Sequence, residues 1–135
     1  LAAVAAARLA AGRFPQASDA WYLLGEALEG AFRVRDAADA FARALSLGER
    51  SDAAFRIGVL LRRESRHAEA AAMFARAFAA GAGPEALYEN AASLWTAGDA
   101  EQAIRALEMW GTHFADGPAR VAEARRELAR GARPA

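Results

Sequence analysis

The amino-acid sequence repeats itself at an interval of 33 residues. Ala20-Trp21-Tyr22-Leu23-Leu24-Gly25 aligns with Ala53-Ala54-Phe55-Arg56-Ile57-Gly58, and Ala37, Phe41 and Ala44 align with Ala70, Phe74 and Ala77. A second step of 33 reaches Leu87, Tyr88, Ala91, Leu94, Ala103, Leu107 and Trp110. A period of this length constrains the fold more than any local propensity. Each unit is one supersecondary piece that cannot bury its apolar face alone, so successive units must stack to share a core.

Within a unit the apolar residues recur at spacings of three and four, as in Trp21, Leu24 and Leu28 and then in Ala37, Phe41 and Ala44. That is the pattern of amphipathic helices, not of strands. The breaks at Gly30 to Arg35, Glu64 to Arg66 and Ala97 to Asp99 are short and predict antiparallel helical hairpins. Asp99 with Gln102 predicts a capping box, Pro84 and Pro118 predict helix starts, and Gly48, Gly81 and Gly111 predict helix ends. Ser18, Ser51 and Ser65 stand where helices begin, and capping is the expected use of their hydroxyls. Small residues predict how the helices meet: Gly25 is expected to face Ala37, and Gly58 to face Ala70. Phe41 and Phe74 are then expected to fill the space between one hairpin and the next.

Trp21, Leu24, Gly25, Leu28, Ala37, Phe41 and Ala44 fall at the spacing of the tetratricopeptide repeat signature, and Ile57, Gly58, Leu61, Ala70, Phe74 and Ala77 repeat it. The chain resembles that family over nearly its whole length. The third copy departs from the pattern, with Ala91 in place of Gly, Leu107 in place of an aromatic and Asn90 in an apolar slot. Gly98-Asp99 matches the family's usual turn. The ankyrin repeat is similar in length, but its Thr-Pro-Leu-His turn is missing. The resemblance implies an all-α fold, a right-handed α-solenoid of antiparallel helix hairpins. Its expected divisions are residues 1–14 as the second helix of a truncated preceding unit, repeats over 18–50, 51–83 and 84–116, and a capping helix over 118–130 with Val121, Ala124 and Leu128 on one face. Pro15 would close the preceding unit. The missing initiator Met and the opening within a helical pattern suggest a piece of a longer chain.

The resemblance further implies a concave groove lined by the first helix of each pair. Tyr22 and its equivalents Phe55 and Tyr88 are expected to form a row of rings along it, with Val59 and Trp95 projecting from the same faces. Charge on these helices changes from unit to unit. Asp19, Glu26 and Glu29 are followed by Arg56, Arg62 and Arg63, then by Glu85 and Glu89. The expected groove has a basic middle between acidic ends, suited to an extended segment or helix with an acidic residue opposite Arg56 and Arg62. One subclass of the family grips acidic chaperone tails with a Lys/Asn/Arg clamp. Tyr22, Glu26, Arg56 and Val59 stand where that clamp would be, so this chain lacks it. For Asn90 two outcomes are open: its helix is rotated so that the residue is exposed, or, as preferred here, it is buried and its amide bonds across the hairpin.

Other chemistries find little in the sequence. Apolar residues make up 55% and charged residues 25% of the 135, a globular balance that leaves little room for disorder. Seventeen basic residues, all Arg, offset 17 acidic ones, so no overall field draws in nucleic acid or an anionic membrane. Nucleic-acid binding would have to rest on Arg56, Arg62, Arg63 and Arg66, among interspersed acids. There is no cysteine, and His67 and His113 lie in different units without a third metal ligand. No Gly-rich phosphate loop and no isolated carboxylate pair is present, so neither catalytic residues nor a cofactor are expected. Leu1 to Ala7 is too short to span a bilayer. The Arg and Ala bias suggests a GC-rich bacterium, and either its cytoplasm or its periplasm suits a soluble protein. The sequence thus reads as a non-catalytic scaffold that binds a peptide or helix of another protein, with self-association through its N-terminal edge as the alternative.

Overall fold

A computed structural model describes residues 2–131 of the chain, which form eight helices and no strand. They are α1 (Ala2–Arg13), α2 (Ser18–Gly30), α3 (Val34–Ser46), α4 (Ser51–Arg63), α5 (His67–Ala79), α6 (Glu85–Thr96), α7 (Ala100–Gly111) and α8 (Gly117–Gly131). Each packs against the next in chain order, from α1 on α2 to α7 on α8. The result is an all-α solenoid of helix hairpins: α2 with α3, α4 with α5, and α6 with α7. Leu1 and residues 132–135 lie outside the described residues.

The hairpins close because glycine leaves room for an aromatic ring. A Cβ on Gly25 would stand 2.5 Å from Cδ1 of Phe41, and one on Gly58 would stand 2.9 Å from Cε1 of Phe74. The partner of each glycine is therefore the phenylalanine of its own hairpin, not Ala37 or Ala70 as the sequence pattern suggested. Both rings are fully buried. Their edges replace the missing side chain, which is why bulk at either glycine overpacks the hairpin.

The turns inside the hairpins share one backbone device. Phe32, Ser65 and Gly98 have φ of 60°, 61° and 94°, each in the left-handed region and each one period from the next. Backbone bonds such as Arg33 N to Leu28 O and Arg66 N to Leu61 O, both 2.9 Å, close the preceding helix over that residue. Only the third turn uses glycine. The first two hold a Cβ where an L-residue loses about 1–2 kcal/mol.

Capping differs from expectation. None of the three serines caps a helix. Ser18 Oγ donates instead to the Ala44 carbonyl in α3, 2.7 Å away. Ser51 follows Arg50, which occupies the N-cap of α4 without a side-chain bond, and Ser65 is consumed by its turn. Asp99 does accept from Gln102 N at 3.1 Å. Its own N–H goes to Leu94 O at 2.9 Å, so the reciprocal half of the box is replaced by closure of α6. Of the three helix-ending glycines, Gly81 has the expected left-handed φ of 108°. Gly111 belongs to α7 and is buried against Gly117 and Val121 of α8.

Candidate partner-binding face

Side-chain ion pairs show that α2, α4 and α6 lie side by side on one face. Arg56 of α4 reaches Glu26 and Glu29 of α2 at 3.4 and 3.2 Å, Arg63 reaches Glu29 at 3.7 Å, and Arg62 pairs with Glu89 of α6. The basic middle expected from the sequence is present, but its charge is answered by acids of the flanking helices. Glu26 and Glu29 lie three and six residues past position 23, which aligns with Arg56 one unit later.

The aromatic row is only partly a surface. Tyr22, Phe55 and Tyr88 are all half-buried, and each leans on an aromatic ring of its own hairpin. Centroid distances are 5.4 Å from Tyr22 to Phe41, 5.1 Å from Phe55 to Phe74 and 5.2 Å from Tyr88 to Trp110. Each ring secures its own hairpin while part of its surface stays exposed. Burial pushes the Tyr22 and Tyr88 phenols above their ordinary range, helped by Glu26 at Tyr22 and by Glu127 at Tyr88. Tyr88 Oη lies 3.4 Å from Glu127 of α8. Val59 is half-buried as well. Trp95 is half-buried too. With Thr96, Glu127, Leu128 and Gly131 it lines a cleft of about 410 Å³ between α6 and α8.

An Arg clamp that sequence reasoning missed organises the near end of this face. Arg50 sits 4.7 Å over the Tyr22 ring and bonds both Asp52 oxygens at 3.0 and 2.9 Å. It also bonds Asp19 and reaches Ser18 Oγ at 3.4 Å. The guanidinium is held firmly protonated, and it keeps the Asp52 carboxyl below its ordinary range. The only hint in the sequence was an acid two residues from an Arg at a helix start.

Asn90 is 9% exposed. Its Nδ2 donates to Ala71 O at 2.7 Å. Ala71 belongs to α5, in the preceding hairpin, so the amide ties two hairpins together and does not cross its own. Ser93, one turn further along α6, is buried with its Oγ unpartnered, as is Nδ1 of His67. His113 is exposed and meets the Phe78 ring edge-on at 6.0 Å. Among the described residues no group of three His, Cys, Asp or Glu side chains is arranged to hold a metal ion. No described helix is long and apolar enough to cross a membrane.

The fold has solved counterparts. A crystal structure of MamA protein superposes with a TM-score of 0.71 over 98% of this chain and 67% of that one, at 16% identity. A second crystal structure of MamA gives 0.68 over 95% and 87%, at 15% identity. The shared architecture is a TPR-like helical solenoid. No protein-family model matches the chain, and neither does any curated protein.

Proposed function

We propose that this chain is a tetratricopeptide-repeat scaffold whose α2–α4–α6 face binds a peptide segment or helix of a partner protein, without catalysing a reaction. Its units are 18–50, 51–83 and 84–116, with residues 1–14 as the second helix of a preceding unit and 118–130 as the covering helix. The observation that carries this reading is the row of half-open rings, Tyr22, Phe55 and Tyr88, one per hairpin along a single face. Val59 and Trp95 extend the apolar surface, while Glu26, Arg56 and Arg62 form its polar frame. Rigid hairpins keep the face preformed, so ordering falls mainly on the partner. Because Arg56, Arg62 and Arg63 are already paired within the chain, anchoring is apolar and little affected by salt. The same pairing speaks against a phosphate track for nucleic acid.

The test is capture of partners from the native host by the wild type and by a Tyr22→Ala, Tyr88→Ala, Trp95→Ala variant, with helicity checked by circular dichroism. The variant is expected to lose the partners. A folded variant that retains them all removes the assignment of the face. Self-association is the second reading, favoured by four strongly exposed apolar side chains near one end of the stack: Leu9 (71%), Phe14 (60%), Leu23 (58%) and Phe32 (90%). Light scattering decides it, since a mass independent of concentration argues against assembly.

A further inference from the structure

On the opposite side of the solenoid, α5 and α7 stand apart over α6 and leave a cleft of about 560 Å³. That is within the range of roughly 300–1,000 Å³ in which proteins bind compact organic groups. Its lining is mainly apolar: Ala72, Ala75 and Phe78 of α5 face Met109 of α7, Leu94 forms part of the floor, and Gln102 and Arg105 of α7 add polar groups. The floor also carries Asn90, whose Nδ2 donates to Ala71 O and whose Oδ1 accepts no bond among the described residues. Among the described residues only His67 Nδ1 and Ser93 Oγ are sealed from solvent without a partner. The Asn90 oxygen is therefore accessible, and the cleft is the surface its residue lines.

A second cleft, of about 320 Å³ over α2, occupies the corresponding place two periods earlier. There Leu24 stands where Asn90 does, and Asp39 and Arg43 replace Arg105 and Met109. Of these two clefts, only the one between α5 and α7 has a buried amide on its floor.

We infer that the α5–α7 cleft is a second anchor site, taking a tryptophan or tyrosine side chain of a partner protein with its N–H or O–H directed at Asn90 Oδ1. These two side chains combine an apolar body that fills such a cleft with a single donor that satisfies the oxygen. None of this chain's strongly exposed apolar side chains, Leu9, Phe14, Leu23, Phe32 and Met109, carries a donor, so the occupant is sought on another protein. The inference rests on the reading of the chain as a protein-binding scaffold, but its test reads the cleft directly.

Labelled full-length chain is titrated with N-acetyl-tryptophanamide and followed by ¹⁵N–¹H correlation spectra. Saturable shifts are expected at the amides of Ala72, Ala75, Asn90 and Met109. The 1-methylindole analogue, which lacks the donor, is expected to bind at least about tenfold more weakly, the factor equivalent to one hydrogen bond. Ala75→Leu fills the cleft from an exposed wall position, so it leaves the fold intact, and it is expected to abolish the shifts. Absence of shifts at these amides, equal binding of the methylated analogue, or shifts that survive Ala75→Leu would each overturn the inference. Shifts confined to Tyr22, Phe55 and Tyr88 would also overturn it, while supporting the opposite face.

Discussion

The two places where one hairpin hands over to the next are built from opposite chemistry. At the first, α3 to α4, Ile57 and Leu60 supply bulk, and Leu60 is 1% exposed within the core that holds Leu24, Leu28 and Phe41. Arg50 clamps the edge of that junction through Asp19 and Asp52. At the second, α5 to α6, one period moves Ile57 to Asn90, Leu60 to Ser93 and Arg50 to Gly83. Two short polar residues replace two branched aliphatic ones, and α6 packs more extensively on α5 than α4 does on α3. Lost volume is recovered by close approach of alanine-rich helices, and an amide-to-carbonyl bond replaces the surface clamp. A repeat thus conserves the spacing of its small residues while the means of joining units stays free. The same exchange of Ile57 for Asn90 places an unpartnered acceptor on the floor of the α5–α7 cleft.

The contrast can be broken by substitution at equivalent positions. Leu60→Ala should have the largest effect, lowering stability by about 2–5 kcal/mol, because a sealed side chain leaves a cavity that the hairpins only partly close. Urea unfolding followed by circular dichroism measures it. A loss below 1 kcal/mol, by the same measure of a cavity's cost, would mean the first junction does not depend on aliphatic bulk.

Asn90→Ala should cost less, about 1 kcal/mol, since one net hydrogen bond disappears while Ala71 O keeps its place in α5. The same titration reads it, and Asn90→Asp is informative beside it, because a carboxylate offers Ala71 O no donor and should destabilise further.

Ser93→Ala, at the position equivalent to Leu60, should be neutral or stabilising by up to about 1 kcal/mol, since it removes a buried hydroxyl that bonds to nothing. A clear loss of melting temperature would show that Ser93 Oγ has a partner.

The smallest effect is electrostatic. Arg50 lowers the Asp52 carboxyl below its ordinary value of 3.8. A depressed acid contributes its stability above the unfolded-state value and loses it as pH falls through the folded-state value. Asp52→Asn should therefore flatten the acid limb of stability below about pH 4, by only a few tenths of a kcal/mol for a pair this exposed. Thermal melts between neutral pH and pH 3 compare the two curves. An unchanged acid limb would remove Arg50 as the clamp of the first junction.

Much of this was legible in the residues themselves. The period of 33, the spacing of Gly25 and Gly58, and the breaks at Gly30 to Arg35, Glu64 to Arg66 and Ala97 to Asp99 placed the turns inside the hairpins within a residue or two of their bounds. The row of Tyr22, Phe55 and Tyr88 followed from the same register. What each glycine faces did not follow, because Ala37 and Phe41 lie one turn apart on the same side of α3 and only Phe41 stands against Gly25. Which way Phe41 turns depends on the whole hairpin. The serines misled because a hydroxyl at a helix start has more than one acceptor in reach, and Ser18 takes the Ala44 carbonyl that only folding brings near.

The sequence by itself determined the number and length of the helices, their pairing and their common stride, since these depend on local periodicity and on where small residues recur. Tertiary structure alone decided which charges were already spent on one another and which side of Asn90 was satisfied. Those outcomes depend on distances of about 3 Å between residues tens of positions apart, such as Arg56 and Glu29 or Asn90 and Ala71. Linear order carries no such distances until the hairpins are stacked.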